Sequence, residues 1–153
     1  MSFELLFLHI TGVAIWLGAG FTFMIFGPAA KRMPLESWAN VWITLAAVQR
    51  RLIIPACIVT IVTGIIMTMQ MVTSHAGVSG SLLMMQAFGV VAAGITIAVS
   101  TPLAARMARL ARRSQESGTM DPGADRVRKA LAIAGSISGV LVLGALFFGV
   151  SRF

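Results

Sequence analysis

The chain has 153 residues, of which 58% are hydrophobic and only 11% are charged, and its mean hydropathy is +0.90. A soluble domain carries about 25% charged residues, so the composition excludes an ordinary soluble domain and indicates a single integral membrane domain. The formal net charge is +7, but membrane topology accounts for where the basic residues lie, so it does not indicate nucleic-acid binding. The single cysteine, Cys57, excludes an intrachain disulfide and a multi-cysteine metal site.

Four apolar stretches are each long enough for a helix to cross a bilayer of about 30 Å. They cover approximately residues 3–27, 52–72, 81–105 and 130–150. The first stretch has no basic region before it and no small-residue cleavage site in a suitable place, which predicts a retained helix rather than a signal peptide. The 28–51 connection contains Pro34 and then a helical pattern that extends toward the second span. We therefore predict an all-α fold, an integral membrane four-helix bundle.

Lysine and arginine are distributed unevenly between the connections. Four lie in the first connection and seven in the polar 106–129 connection, whereas the 73–80 turn has none, so eleven of the twelve fall on one side. Basic connections remain in the cytoplasm. The sequence therefore predicts a multi-pass protein of a bacterial inner membrane with both termini outside. The basic connections are then placed to contact anionic lipid headgroups.

Glycines recur in the predicted spans, and Gly135 and Gly139 form a GxxxG pattern in the fourth span. Small residues allow membrane helices to approach closely. The pattern is compatible with packing inside one chain, with a homodimer through the fourth span, or with docking of these glycine-rich faces in a larger membrane complex.

An ionisable residue, His9, lies in the otherwise apolar stretch LHITGVAIWLGAGF. It is about 9 Å into the first span at 1.5 Å per residue, where an ionisable side chain is a functional candidate. Gly12, Trp16, Gly20 and Phe23 share its helix face. Either a neighbouring helix or a planar ligand could fill the flat space that these glycines leave. The alternative is a neutral histidine bonded to a backbone carbonyl of another helix.

The other candidate ligands lie toward the same outer side of the membrane. They are His75 and several methionines, of which Met71 and Met84 are the foremost metal candidates. Imidazole and thioether groups suit haem iron and Cu(I). With two histidines in the chain, one bis-histidine haem is the maximum, and a His9/methionine or five-coordinate haem is the other arrangement. For the methionines, packing in the core or against lipid is the alternative.

Two further polar residues are candidates for holding a cofactor. Arg152 is the one basic residue on the outer side, so it could pair with a haem propionate or be an ordinary terminal charge. Gln86 lies in the third span, where a buried amide needs partners. It could bond to His9, to a ligand, or to another helix.

Two segments carry a family resemblance. They are LHITGVAIWLGAGFTFMIFGPA, with His9, Trp16 and Gly18 in an H-x6-W-x-G pattern, and VQRRLIIPACIVTIVTGIIMT. Together they resemble the CopD-like and DUF2269-like small four-helix membrane proteins, and also the HemJ-type protoporphyrinogen oxidases. The HemJ resemblance implies that His9 is linked to haem b, although Gln86 lies near the place of that family's third-span lysine. The CopD resemblance implies copper uptake across the inner membrane.

Three functions follow as hypotheses. The favoured one is a haem-b-binding membrane protein in electron transfer or a related redox step, with His9 as axial ligand. The second is copper handling through His9, His75 and the outer methionines. The third is a non-catalytic accessory subunit of a membrane complex.

Overall fold

The computed structural model describes residues 2–73 and 79–150, and these residues form helices joined by short connections. The α-helices are α1 Phe3–Ala30, α2 Leu35–Val48, α3 Ile54–Thr73, α4 Gly80–Gly94, α5 Thr101–Ser117 and α6 Ala124–Val150. Two π-helical turns, Gln49–Ile53 and Ile95–Ser100, join α2 to α3 and α4 to α5. The prediction of an all-α fold is therefore confirmed.

Among residues 2–73 and 79–150, four continuous helices are long and apolar enough to cross a membrane, and their number equals that of the predicted spans. They are Phe3–Ala30, Leu35–Thr73, Gly80–Ser117 and Ala124–Val150. The second and third contain 39 and 38 residues, or nearly 60 Å at 1.5 Å per residue. Because this is about twice the thickness of the hydrocarbon core, each continues well beyond it. The predicted extension of the 28–51 helix into the second span is confirmed.

The two continuations, α2 and α5, pack against each other and form a helical pair that we call the arm. Its core contains Trp38, Trp42, Leu45, Met107 and Ala111, all buried. Most of the polar connection that we placed at 106–129 is therefore helical, because every third or fourth residue of α5 turns an apolar or small side chain toward α2. Arginines occupy the remaining faces of α5.

Each π-helical turn comes just before a proline. Pro55 and Pro102 cannot donate a backbone hydrogen bond, and their rings clash with the carbonyl one turn earlier. The backbone N–H of Ile54 donates to Gln49 O, five residues back, and that of Thr101 donates to Thr96 O. The helix thus widens by one residue before the proline instead of breaking.

The two wide turns lie side by side and are joined by one buried amide. Gln49 Nε2 donates to Thr96 O at 3.4 Å and to Thr101 Oγ1 at 3.1 Å. Its side chain is almost fully buried. The hydrogen bonds fix the point at which the arm meets the bundle of α1, α3, α4 and α6, which we call the membrane-crossing part because they belong to the four continuous helices that are long and apolar enough to span a membrane.

In the membrane-crossing part, α1 packs on α3 and α4 packs on α6. Its core includes Trp16, Ile53, Cys57 and Val142. Ser138 of α6 bonds to Thr96 Oγ1 at 2.8 Å and to Ala92 O at 3.3 Å. The contact between α1 and α6 is looser, and a cavity lies between these two helices.

Candidate ligand site at His9

His9 lies in the second turn of α1 and turns toward α3. Its Nδ1 is 3.0 Å from Thr60 O and 3.1 Å from Thr63 Oγ1. The ring is half-buried. The predicted alternative of a bond to a backbone carbonyl of another helix is thus present in the structure.

These partners define which ring nitrogen carries the proton. A carbonyl oxygen only accepts hydrogen bonds, so the contact with Thr60 O places a hydrogen on Nδ1. The Thr63 hydroxyl donates to Val59 O at 2.6 Å, which leaves its oxygen free to accept a share of the same N–H. Nε2 makes no hydrogen bond within residues 2–73 and 79–150. The neutral ring therefore keeps its basic lone pair on Nε2.

Two glycines bring α1 and α3 close enough for this contact. A Cβ added to Gly12 would lie 2.5 Å from Thr60 Oγ1 and 3.1 Å from Ala56 O. A Cβ added to Gly64 would lie 3.2 Å from His9 Cε1. Gly12, predicted to bind a cofactor, thus packs against α3, and the missing side chain of Gly64 leaves room for the imidazole.

Trp16, also predicted to bind a cofactor, lies about two turns beyond His9 on α1. It is buried in the core of the membrane-crossing part and lines the cavity between α1 and α6. Gly20 and Phe23, on the same predicted face, line that cavity as well. The predicted face is therefore divided. Its N-terminal end, at His9 and Gly12, packs on α3, and its C-terminal part, from Trp16 to Phe23, borders the cavity.

Gln86, on α4, contacts α3 one turn beyond Gly64. Its Nε2 donates to Thr68 Oγ1 in a very short hydrogen bond, and Thr68 Oγ1 in turn donates to Gly64 O at 2.9 Å. Gln86 and His9 are thus connected through one turn of α3 without bonding to each other. Of the alternatives left open for this amide, a bond to another helix is the one present in the structure, and a role of Gln86 in holding a cofactor stays a prediction.

The other residues predicted to bind a metal or cofactor lie on α3 and α4 or outside the described residues. Met84 is 51% exposed on α4, whereas Met71 is partly buried near the end of α3. His75 and Arg152 lie outside the described residues. Among residues 2–73 and 79–150, no three His, Cys, Asp or Glu side chains form a group that could hold a metal ion. The roles proposed for Met71, Met84, His75 and Arg152 in holding a metal or cofactor stay predictions.

Sequence reasoning gave Thr60 and Thr63 little weight, because a threonine in a helix commonly bonds to its own backbone. Thr63 does so, and it also accepts from His9. The Thr60 Oγ1 hydroxyl is buried with no partner in the described part of the chain. A weak signal was present, since Thr63 and Gly64 are adjacent in the second segment that carries the resemblance.

The sequence matches no family model, and neither the curated proteins nor the solved structures gave a match. The function therefore has to be inferred from the chemistry of the chain's own residues.

Proposed function

We propose that the protein binds haem b through Nε2 of His9 and serves in electron transfer or a related redox step in the membrane. The observation that supports this most directly is the hydrogen bond from His9 Nδ1 to Thr60 O at 3.0 Å. Histidines that ligate metals nearly always donate their other ring N–H to a carbonyl, a carboxylate or water, which fixes the tautomer and raises the basicity of the ligating nitrogen.

The residues around His9 suit an axial ligand. Thr60 and Thr63 hold the ring through Nδ1, and Gly64 leaves room for the ring beside α3. A ring held in this way keeps Nε2 in one orientation. When bound, haem iron would supply one-electron chemistry, and its potential would depend on the axial ligands and on the apolar surroundings. The candidates for a second ligand remain His75, Met71 and Met84.

The proposal includes an orientation in the membrane. The two polar connections lie at one end of the helices, since α1 is followed by the 31–34 connection and α5 by the 118–123 connection. The arm lies at that same end. We place this basic end in the cytoplasm and both termini outside, in a bacterial inner membrane, according to the distribution of basic residues.

Absorption spectroscopy tests the haem assignment. We expect the detergent-purified protein to show a Soret band and, after dithionite reduction, sharp α and β bands. His9→Gly should lose or shift these bands, and added imidazole should restore them by replacing the missing ligand. His75→Ala, purified in parallel, tests whether the second histidine is the other axial ligand.

A colourless wild-type protein from haem-replete cells would refute the haem assignment. Copper analysis of the same sample would then separate the two remaining hypotheses. Stoichiometric copper that His9→Gly loses indicates copper handling. A metal-free protein that purifies with a larger complex indicates an accessory subunit.

A further inference from the structure

A cavity of about 390 Å³ lies between α1 and α6, at the basic end of the membrane-crossing part. Along α1 it extends from Trp16 to Pro28, about 18 Å at 1.5 Å per residue. Its outer rim carries exposed apolar side chains, among them Met24 and Val140. The cavity therefore opens sideways, toward the lipid that such a helix face would meet.

Two residues that line the cavity, Trp42 and Ser100, each carry a buried polar atom with no partner among the described residues, Trp42 Nε1 and Ser100 Oγ. Trp42 is 3% exposed and Ser100 is 6% exposed. An indole N–H can only donate a hydrogen bond, and a hydroxyl can donate one. Leaving such groups unbonded costs free energy, so both favour a ligand that presents acceptor oxygens.

The walls of the cavity are flat and aromatic. Trp16, Phe21 and Phe23 border it from α1, and Gly135 and Gly139 border it from α6. A Cβ at either of these glycines would meet no atom within 4 Å. The GxxxG pattern thus borders open space in this chain instead of packing against another of its helices. Aromatic side chains beside flat glycine surfaces suit a planar ring.

The cationic side chain that lines the cavity already has an anionic partner. Arg128, the cationic side chain at its basic end, forms two bonds to Asp125 Oδ1, from Nη2 at 2.6 Å and from Nε at 3.1 Å. Lys129 Nζ lies 2.8 Å from Asp125 Oδ2 but does not border the cavity. With its guanidinium already paired, Arg128 is a weak attractor for an anionic headgroup. A neutral acceptor fits better.

We propose that this cavity binds the ring of a lipid-soluble quinone. The ring carbonyls would accept hydrogen bonds from Trp42 Nε1 and Ser100 Oγ, and the isoprenoid tail would leave through the opening between α1 and α6. The site is separate from His9, which does not line the cavity. Binding there requires no haem and goes beyond the function proposed above.

Equilibrium dialysis tests the site, with the full-length protein in phosphatidylcholine nanodiscs and a 1,4-benzoquinone that carries one isoprenyl unit. Nanodiscs without protein correct for partitioning into lipid. We expect saturable binding in the wild type, weakened about three- to tenfold by Trp42→Phe and again by Ser100→Ala, since each removes one hydrogen bond. Trp38→Phe is the matched control, because Trp38 is equally buried in α2 but does not line the cavity.

Two results would overturn the assignment. One is quinone binding that matches protein-free nanodiscs, or that Trp42→Phe and Ser100→Ala leave unchanged. The other is displacement of the quinone when half of the lipid is phosphatidylglycerol, together with loss of that competition in Arg128→Gln, which would identify an anionic lipid as the occupant. Because dialysis does not detect haem, a colourless protein that binds quinone would refute the haem proposal alone.

Discussion

The two flanks of α1 differ in how closely another helix approaches. On the α3 flank, Gly12 and Gly64 bring backbones together until an added Cβ would contact Thr60 or His9. On the α6 flank, Gly20, Gly135 and Gly139 have no atom within 4 Å of an added Cβ. The same residue type therefore closes one helix pair and leaves space in the other.

The polar groups follow this division only in part. On the closed flank His9 Nδ1 has two acceptors, although Thr60 Oγ1 has no partner in the described part of the chain, and on the cavity side the same is true of Trp42 Nε1 and Ser100 Oγ. The comparison separates two kinds of residue. Some position the His9 side chain through close helix packing, and others leave a helix surface open to a ligand. Substitutions on the two flanks should therefore act differently on stability and on binding.

The largest effect is expected from Gly12→Ala. Its methyl group would overlap Thr60 Oγ1 and press on Ala56 O, a backbone atom that cannot rotate away. Overpacking of this kind costs about 1–3 kcal/mol. Thermal unfolding in detergent measures the loss. Gly20→Ala is the control on the open flank and should unfold at or above the wild-type temperature, and equal losses in both variants would contradict the comparison.

A smaller effect is expected from Gly64→Ala, which would bring a methyl group to 3.2 Å from His9 Cε1. The ring can shift by a few tenths of an ångström, so we expect a cost of about 1 kcal/mol. If His9 ligates haem, the tilted ring should also shift the reduction potential. Potentiometric titration measures that shift, with Gly89→Ala as control, since its Cβ would meet no atom within 4 Å. Identical potentials in the two variants would argue against ligation by His9.

The smallest effect on stability is expected from Ser100→Ala. Ser100 and Ser138 are both 6% exposed and both line the cavity, but only Ser138 Oγ is hydrogen-bonded. Removing the unbonded hydroxyl should leave the free energy of unfolding at or above the wild-type value, because a buried polar group without a partner is lost, whereas Ser138→Ala should lower it by about 1 kcal/mol. Chemical denaturation of both variants measures the difference. An equal loss would indicate that Ser100 bonds within the native protein.

Composition and hydropathy were sufficient to predict the four apolar helices, because about 20 consecutive apolar residues have few alternatives to crossing a membrane. The helicity of α5 was predictable as well. Ala104, Met107, Ala111 and Ser114 recur at helical spacing and are all buried. The arginines between these positions masked that pattern when the segment was interpreted as a polar connection.

The contacts of the site were not predictable in the same way. These helices are apolar on their exposed faces as well as their buried ones, as Met24, 59% exposed, illustrates, so hydropathy does not reveal which face meets a neighbour. The bond between His9 and Thr60 joins residues 51 positions apart and depends on the close approach at Gly12. The hydrogen bonds of Gln49 were not predictable either, because its partners become adjacent only when both wide turns form.

The wide turns have a consequence for comparing this chain with related sequences. A π-helical turn adds one residue to a helix, and one residue corresponds to about 100° of rotation at 3.6 residues per turn. It therefore lets the buried stripe of the arm point differently from the buried stripe of the membrane-crossing part. In an alignment, a relative with uninterrupted α-helices would show a one-residue gap near 49–53 and another near 95–100. Because Gln49 couples the two turns, these gaps should occur together.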